Sequence, residues 1–200
     1  MRVFIIIVFI FFSAVISAQR ISERSRYEKR WAFFHPFAAI KAKKIYKICL
    51  PFYEELKKSK GLDAFENGGK LDAFRHTFFM AAFSQKIKTK KVRKLGIARE
   101  KGNHSNFLKN IKEEGELADS LSSVMDLKNN ELGLKIGSNN RKTDINNLLL
   151  ISIEELNKGE AVYFKRNAAG HYLTCEGQII ILENYKGKWV VPKCLMKTNE

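Results

Sequence analysis

Apolar residues recur three and four positions apart along most of residues 31–158. Residues at that spacing share one face of an α-helix, so the pattern predicts amphipathic helices packed around a common core. Asp144 is a residue type suited to cap a helix, and Ile145, Leu148 and Leu149 predict a last helix after it. The earlier helices are expected over residues 37–50, 71–86, 89–99 and 120–134.

Other residues predict where these helices stop. Pro51 lacks an amide hydrogen and predicts an interruption, with a further short helix over residues 52–58. The Gly, Asn and Ser residues of segment 102–106 predict a break. Gly137 is expected to end its helix in a left-handed conformation. Residues 19–30 are charged, and we expect them to be loose or weakly helical.

The pattern changes at Gly159, where short β-rich runs alternate with turn signals. These runs predict a small antiparallel sheet of three or four strands, which is too small to be stable without packing on the helices. We therefore expect a mainly α fold, with five to six helices around one core and a small C-terminal antiparallel β-sheet. The predicted division is a helical domain over residues 19–158 and a β appendage over residues 159–200.

The N-terminus reads as a targeting segment. Arg2 precedes an almost wholly apolar run, Val3 to Val15, and small residues follow it. Because this run is short of the ~20 residues of a membrane span, residues 1–18 predict a signal peptide, and hence a periplasmic or extracellular protein. The basic residues that follow, such as Arg20 and Arg24, resist translocation and favour the alternative of an uncleaved inner-membrane anchor.

The net charge of the chain indicates which kinds of partner it could bind. The net charge is +15, and a basic exported protein is attracted to anionic envelope surfaces or polymers. The alternative is that the lysines only solvate the surface. The basic run from Lys86 to Lys94 carries no recognition motif and no aromatic platform, which argues against nucleic acid.

The chain has three cysteines. In an exported protein an odd number leaves one thiol over. Cys175 and Cys194 both lie in the C-terminal segment, where they could form a disulfide, and Cys49 would be a buried free thiol. The sequence has no C-x-x-C motif, which excludes a zinc-finger type of site.

Two clusters of polar residues stand out within apolar sequence. Asp72, Arg75 and His76 share one helix face, and Asp126, Asn129 and Asn130 share another. Phenylalanines surround the first cluster, and a buried charge is costly unless it is paired, hydrogen-bonded or metal-bound. We therefore expect the two faces to meet in one interior polar centre.

These residues also carry a resemblance. The runs D72-A-F-R-H76 and M125-D-L-K-N-N130-E-L-G133 resemble a family of uncharacterised bacterial helical domains, and the similarity covers about residues 67–137. Members of that family are exported or lie at the ends of large toxin-like proteins. The family pattern has A-H-E between the two motifs, and here Arg99 replaces its histidine. The family has no established activity, so the resemblance implies a fold more than a function.

The motif order is similar to the ligand order of helical metal-dependent phosphohydrolases. That similarity implies one divalent metal ion, with His76, Glu100 and Asp126 as candidate ligands, Asp72 nearby, and His104 as a substitute for the lost histidine. Arg99 cannot ligate a metal, because arginine stays protonated. In a metal-free alternative, His76 is a general base oriented by Asp72 or Asp126.

Arg75, Asn129 and Asn130 are the candidate binding residues. A purely structural network is also open, since Asp72 could pair with Arg75 and the two asparagines could bridge helices. Three functional interpretations follow: an exported domain of unknown activity, a hydrolase acting on a phosphoester or envelope polymer, and a non-catalytic module that binds anionic envelope material.

Overall fold

A computed structural model describes residues 24–59, 61–112 and 116–200. The predicted signal peptide lies outside these residues. Within them, six α-helices precede a two-stranded antiparallel sheet, which confirms the predicted fold class. In chain order the elements are α1 (Arg26–Phe34), α2 (Pro36–Ser59), α3 (Lys70–Lys86), α4 (Thr89–Leu108), α5 (Ser120–Asn139), α6 (Ile145–Asn157), β1 (Val162–Phe164) and β2 (Leu195–Lys197).

Helix α3 is the centre of the fold and packs against α2, α5 and α6. It is buried over most of its circumference, and Phe74 and Phe78 are completely buried and stack on each other. Burying one such side chain contributes about 1.5–3 kcal/mol, so these residues fix α3 in the core. Polar side chains on α3 are consequently held in a rigid, mostly apolar environment.

Two glycines let α5 approach α3 closely. A Cβ atom on Gly133 would collide with the carbonyl oxygen of Thr77, and one on Gly137 would collide with that of Ala81. The prediction that Gly137 ends the helix is wrong, because α5 continues to Asn139. Glycine is needed at position 137 for space.

Both predicted interruptions are also wrong. Pro51 lies inside α2. Pro51 and Lys47 are exposed, so water can hydrate the Lys47 carbonyl that loses its helical partner. Segment 102–106 lies inside α4, where a Cβ atom on Gly102 would press on the side chain of Ser25. This glycine therefore allows close packing of α4 against the start of α1.

Helix α1 begins in the charged segment that was expected to be loose or weakly helical, and it is a regular helix. The side chain of Ser25 accepts a hydrogen bond from the Glu28 amide, and the Glu28 carboxylate accepts one from the Ser25 amide, which forms a capping box. Trp31 anchors the helix, since it is buried and its Nε1 donates to the Lys91 carbonyl at 2.9 Å. Tertiary packing thus stabilises a segment of weak intrinsic pattern.

The C-terminal segment has less sheet than predicted. Strands β1 and β2 pair in antiparallel register, and two isolated bridges add Arg166–Tyr172 and Leu173–Ile179. Residues 188–191 form no strand. The predicted disulfide between Cys175 and Cys194 is present, and Cys49 is a buried free thiol. The segment therefore has few strand-to-strand hydrogen bonds, and it is held instead by hydrogen bonds to neighbouring loops and by this disulfide.

None of the helices in the described part of the chain combines the length and the hydropathy needed to cross a membrane.

Candidate metal centre

Helices α3 and α5 bring three potential metal ligands together. His76 Nε2 lies 3.5 Å from Asp72 Oδ1 and 3.2 Å from Asp126 Oδ1, and one potential ligand atom from each of the three residues lies within 4.8 Å of the other two. Asp72 and His76 are one helical turn apart on α3, whereas Asp126 comes from α5. The spatial prediction from the sequence, that these two polar faces meet, is confirmed.

Asp72 is held by groups on both of its oxygens. The Gly68 amide donates to Oδ2 at 2.7 Å, and Arg75 Nη2 lies 2.7 Å from Oδ1. Gly68 has a φ of +74°, a conformation that glycine adopts at little cost. The carboxylate therefore has a fixed orientation, with Oδ1 directed toward both Arg75 and His76.

The C-terminal segment holds the turn that contains Gly68. The Phe164 amide donates to the Gly68 carbonyl at 2.8 Å, and Arg166 Nη2 donates to the Asn67 carbonyl at 2.7 Å. The Asn129 side chain exchanges two hydrogen bonds of 2.9 Å with the Val162 backbone. The β segment thus supports α5 and the turn before α3, the two parts of the chain that position the carboxylates.

His76 is oriented by Asn130. Its Nδ1 lies 3.0 Å from Asn130 Oδ1, an acceptor, so Nδ1 carries the proton in the neutral ring. Burial lowers the pKa of His76 and so favours the neutral form. The negative charge of Asp72 opposes this shift. The lone pair of Nε2 then faces two carboxylate oxygens. This contact is repulsive unless a proton on Nε2 or a metal cation lies between the atoms.

Glu100 comes from α4 and lies beside this group. Burial, and after it the charge of Asp126, raise the pKa of Glu100 to about 8, while His76, Ser123 and Asn103 oppose the shift. Its Oε2 accepts a hydrogen bond from Asn103 Nδ2 at 3.2 Å. At neutral pH this carboxyl is largely protonated, so it adds little negative charge and can donate or accept a proton.

Three buried polar atoms of the centre have no hydrogen-bond partner among the described residues: His76 Nε2, Glu100 Oε1 and Asn103 Oδ1. Nε2 is close to two carboxylates, but the geometry is not that of a hydrogen bond. Such atoms are rare in folded proteins, and where they cluster a water or an ion commonly satisfies them. Glu100 and Asn103 extend this polar centre beyond the three ligand atoms.

The donor set fits a divalent cation. Protein ligands bind such ions at about 2.0–2.5 Å, so two ligand atoms of one ion lie at most about 5 Å apart. Asp72, His76 and Asp126 meet this limit. Imidazole with carboxylates suits Zn²⁺ or Mn²⁺, and three protein ligands leave further positions for water or substrate.

An open groove reaches the centre at Glu100. Its volume is about 420 Å³, and its walls include Tyr27, Ile97, Lys101 and Leu127. A second groove, of about 340 Å³, lies beside Phe107 and contains no predicted site residue. Of these two grooves, only the first is lined by a residue of the polar centre, Glu100.

Two predicted residues lie apart from the three ligand atoms. His104 is exposed on the wall of the first groove and contacts the ring of Trp189, with 4.6 Å between centroids. Asn129 is fully buried and directs its amide toward Val162. Neither residue belongs to the group of three candidate ligands. Asn130, the neighbour of Asn129, does contact that group, because it orients the His76 ring.

Arg99 also lies apart from this ligand group. Its Nη1 is 3.9 Å from Glu28 Oε2, so the residue that replaces the histidine of the family pattern pairs with α1. Sequence reasoning missed Asn103, which stands three positions after Glu100 and shares its helix face. The spacing of Glu100 and Asn103 is that of one helix face, but the sequence predicted that the helix would end before Gly102, so the two residues were not paired.

A family model described as a domain of unknown function (DUF6973) matches residues 29–160. The matched region contains the three candidate ligands, Glu100 and Asn130. No curated protein and no solved structure matches the chain. The motif pattern and the bacterial origin expected from the sequence stay predictions.

Proposed function

We propose that this chain, which belongs to the DUF6973 family of unknown function, is a divalent-metal-dependent hydrolase acting on a phosphoester. One observation carries the proposal: Nε2 of the buried His76 lies 3.5 and 3.2 Å from oxygens of two carboxylates. A bound divalent cation would satisfy this arrangement, and the ligand types are those of hydrolytic metal sites.

A bound divalent ion would lower the pKa of a coordinated water and so supply a nucleophile at neutral pH. Two residues around the site could take part in such a reaction. Arg75 is partly exposed beside Asp72, where its guanidinium can bind a phosphate oxygen. Glu100, with its raised pKa and its position in the groove, can transfer a proton to the leaving group.

The proposed substrate class follows from charge. The net charge of +15 attracts anionic substrates, and Arg75 adds a positive group at the site itself. We further propose that the protein is exported and acts at the cell envelope. The Cys175–Cys194 disulfide supports this location, because disulfides persist in oxidising compartments.

Metal binding is the first test. The full chain is stripped with a chelator and titrated with Mn²⁺ or Zn²⁺ by calorimetry. We expect one ion per chain, and we expect His76→Ala and Asp126→Ala to abolish binding. His104→Ala is the matched control, since His104 is exposed, and it should bind the ion as the native chain does. If the native chain binds no ion, the proposal is wrong.

Hydrolysis is the second test. The metal-loaded chain is assayed on chromogenic phosphomonoesters and phosphodiesters. We expect turnover that His76→Ala abolishes and that Glu100→Gln lowers by about 10²–10⁴-fold, the usual range for loss of a general acid. If the chain binds one ion tightly but hydrolyses none of these esters, the proposed metal site is supported and the proposed hydrolase activity is wrong.

A further inference from the structure

Large apolar side chains are exposed where α1 meets α2. Phe33 and Phe37 are each 79% exposed, and Phe34 is 61% exposed. The rings of Phe33 and Phe34 contact each other edge to face at 5.3 Å, and Arg30 lies over the ring of Phe34 at 5.8 Å. Isolated exposed apolar residues are ordinary, but a contiguous group of phenylalanines marks an interaction surface.

The group continues along the outer side of α2. Ile40 and Ile48 are 55% and 57% exposed and share the helix face of Phe37. Ala38, Ala42 and Cys49 on the opposite face are buried against the core. Helix α2 therefore has two apolar sides, and the core covers only one of them.

Positive charge lies among these apolar residues. Between Glu28 and Glu54 the sequence has six Lys or Arg residues and no Asp or Glu. All six are exposed: Lys29, Arg30, Lys41, Lys43, Lys44 and Lys47. We call the three phenylalanines, Ile40, Ile48 and these six residues the aromatic–basic face.

We propose that the aromatic–basic face docks the protein on a bilayer that contains anionic phospholipid. A helix with exposed Phe and Ile between lysines lies in the interface of such a bilayer, where apolar side chains enter the acyl boundary and lysines pair with phosphates. Each basic residue near the surface adds to the attraction, and salt weakens it.

The charge pattern distinguishes this occupant from two others. The apolar run Val3 to Val15 of the chain itself could cover the phenylalanines, but it has no acidic residue to pair with the lysines. An acidic polymer could pair with the lysines, but it would leave Phe33 and Phe37 in water. Unlike these two, an anionic lipid surface satisfies both kinds of group. The surface is separate from the metal centre, so the inference does not depend on the proposed function.

The test uses an environment-sensitive fluorophore on the full chain. It is attached to Lys43→Cys, at the edge of the face, or to Lys128→Cys, another exposed helical position outside the face. Burial raises the pKa of the Cys49 thiol to about 12, so Cys49 stays unlabelled at neutral pH. Each protein, kept soluble in mild detergent, is diluted into vesicles of neutral phosphatidylcholine, with or without about one-third phosphatidylglycerol, a fraction that gives a strongly negative surface.

We expect a blue shift and loss of aqueous quenching at position 43 with anionic vesicles, and none at position 128. Adding Phe37→Ser and Ile40→Ser should weaken vesicle affinity at least tenfold. Leu150→Ser, which removes an exposed apolar residue of α6, should not. Raising the salt should reduce the shift.

Three outcomes would overturn the proposal. An equal shift with neutral vesicles would mean that the lysines have no role. A shift produced equally by soluble polyphosphate would identify a polyanion site. No shift at position 43 in any vesicle would show that the face stays in water or is covered by the chain itself.

Discussion

His76 Nε2 lies 3.2 Å from Asp126 Oδ1, and the other ring nitrogen lies 3.0 Å from Asn130 Oδ1. Asp126 and Asn130 are one turn apart on α5, so a single helix contacts both nitrogens of the imidazole. The asparagine fixes which nitrogen carries the proton, and the aspartate approaches the one that does not. The proposed metal site needs such a division, in which one nitrogen binds the ion and a partner on the other nitrogen orients the ring.

Asn130→Ala should weaken metal binding without removing a ligand. Outer partners of ligating histidines commonly contribute 10–100-fold to affinity, because they hold the ring and its tautomer. We expect a loss in that range by calorimetry, with the stoichiometry unchanged at one ion. Asn146→Ala, an exposed asparagine of α6, is the control and should bind as the native chain does. Unchanged affinity in Asn130→Ala would mean that the Asn130 contact does not orient a ligand.

Glu100 should make the metal-free protein less stable as pH rises. Burial raises its pKa to about 8 from an ordinary 4.5. Between those values the folded protein keeps a proton that the unfolded chain releases, so the free energy of unfolding falls by up to about 1.4 kcal/mol per pH unit. Below pH 4.5 both states are protonated and no penalty remains.

The measurement is denaturant unfolding from pH 4.5 to 8.5 in the presence of a chelator. Glu100→Gln cannot titrate, so its stability relative to the native chain should rise across this range. His76 titrates with the opposite sign, because its pKa is lowered, and it is present in both proteins, so only its electrostatic coupling to Glu100 remains in the difference. Glu183→Gln, at an exposed position, should follow the native curve. A pH-independent difference for Glu100→Gln would show that the carboxyl is not desolvated.

Gly137→Ala should destabilise the fold, although alanine is the better helix former by about 1 kcal/mol. Its Cβ atom would collide with the Ala81 carbonyl and the Ser84 hydroxyl, which forces α5 away from α3. We expect a net loss of about 1–3 kcal/mol, as for other overpacked cores, measured by urea unfolding. Gly61→Ala, whose Cβ would meet only ordinary contacts, is the control. A neutral effect at position 137 would contradict the close helix contact.

The sequence predicted the meeting of the two polar faces because each face has helical spacing and is flanked by residues that must be buried. Asp72 with His76, and Asp126 with Asn130, could each be read from a local pattern. The bounds of α3 were read from the same pattern to within one residue. Local periodicity therefore identified residues that the fold brings together, and the elements that carry them.

The features that could not be predicted from the sequence depend on contacts between distant segments of the chain. Gly137 looked like a helix end because the approach of Ala81 was not visible. Gly102 and Pro51 looked like breaks for the same reason, since helix propensity is a weak guide once packing and hydration decide. The role of Asn129, which joins α5 to Val162, depends on residues 33 positions apart. The same holds for the support that the C-terminal segment gives to the metal centre.

That support can be tested at Lys193. Its Nζ lies 2.7 Å from Asp119 Oδ2, both side chains are almost fully buried, and Asp119 Oδ1 also caps α5 through the Leu121 and Ser122 amides. Lys193→Met leaves the Asp119 charge buried without its partner, so we expect a loss of about 3–5 kcal/mol in urea unfolding. Because Asp119 caps the helix that carries Asp126, metal affinity should fall as well.

A double variant separates charge from packing. Asn is as good a cap as Asp, so Asp119→Asn combined with Lys193→Met removes both charges and keeps the cap. We expect the double variant to recover a large part of the stability lost by Lys193→Met alone, since apolar replacement of a whole buried pair is often neutral. Lys197→Met, at an exposed position of β2, should cost little. If the double variant is as unstable as Lys193→Met, the contact of the Lys193 ammonium group with the rings of Phe164 and Tyr172, and not the ion pair, holds the C-terminal segment against α5.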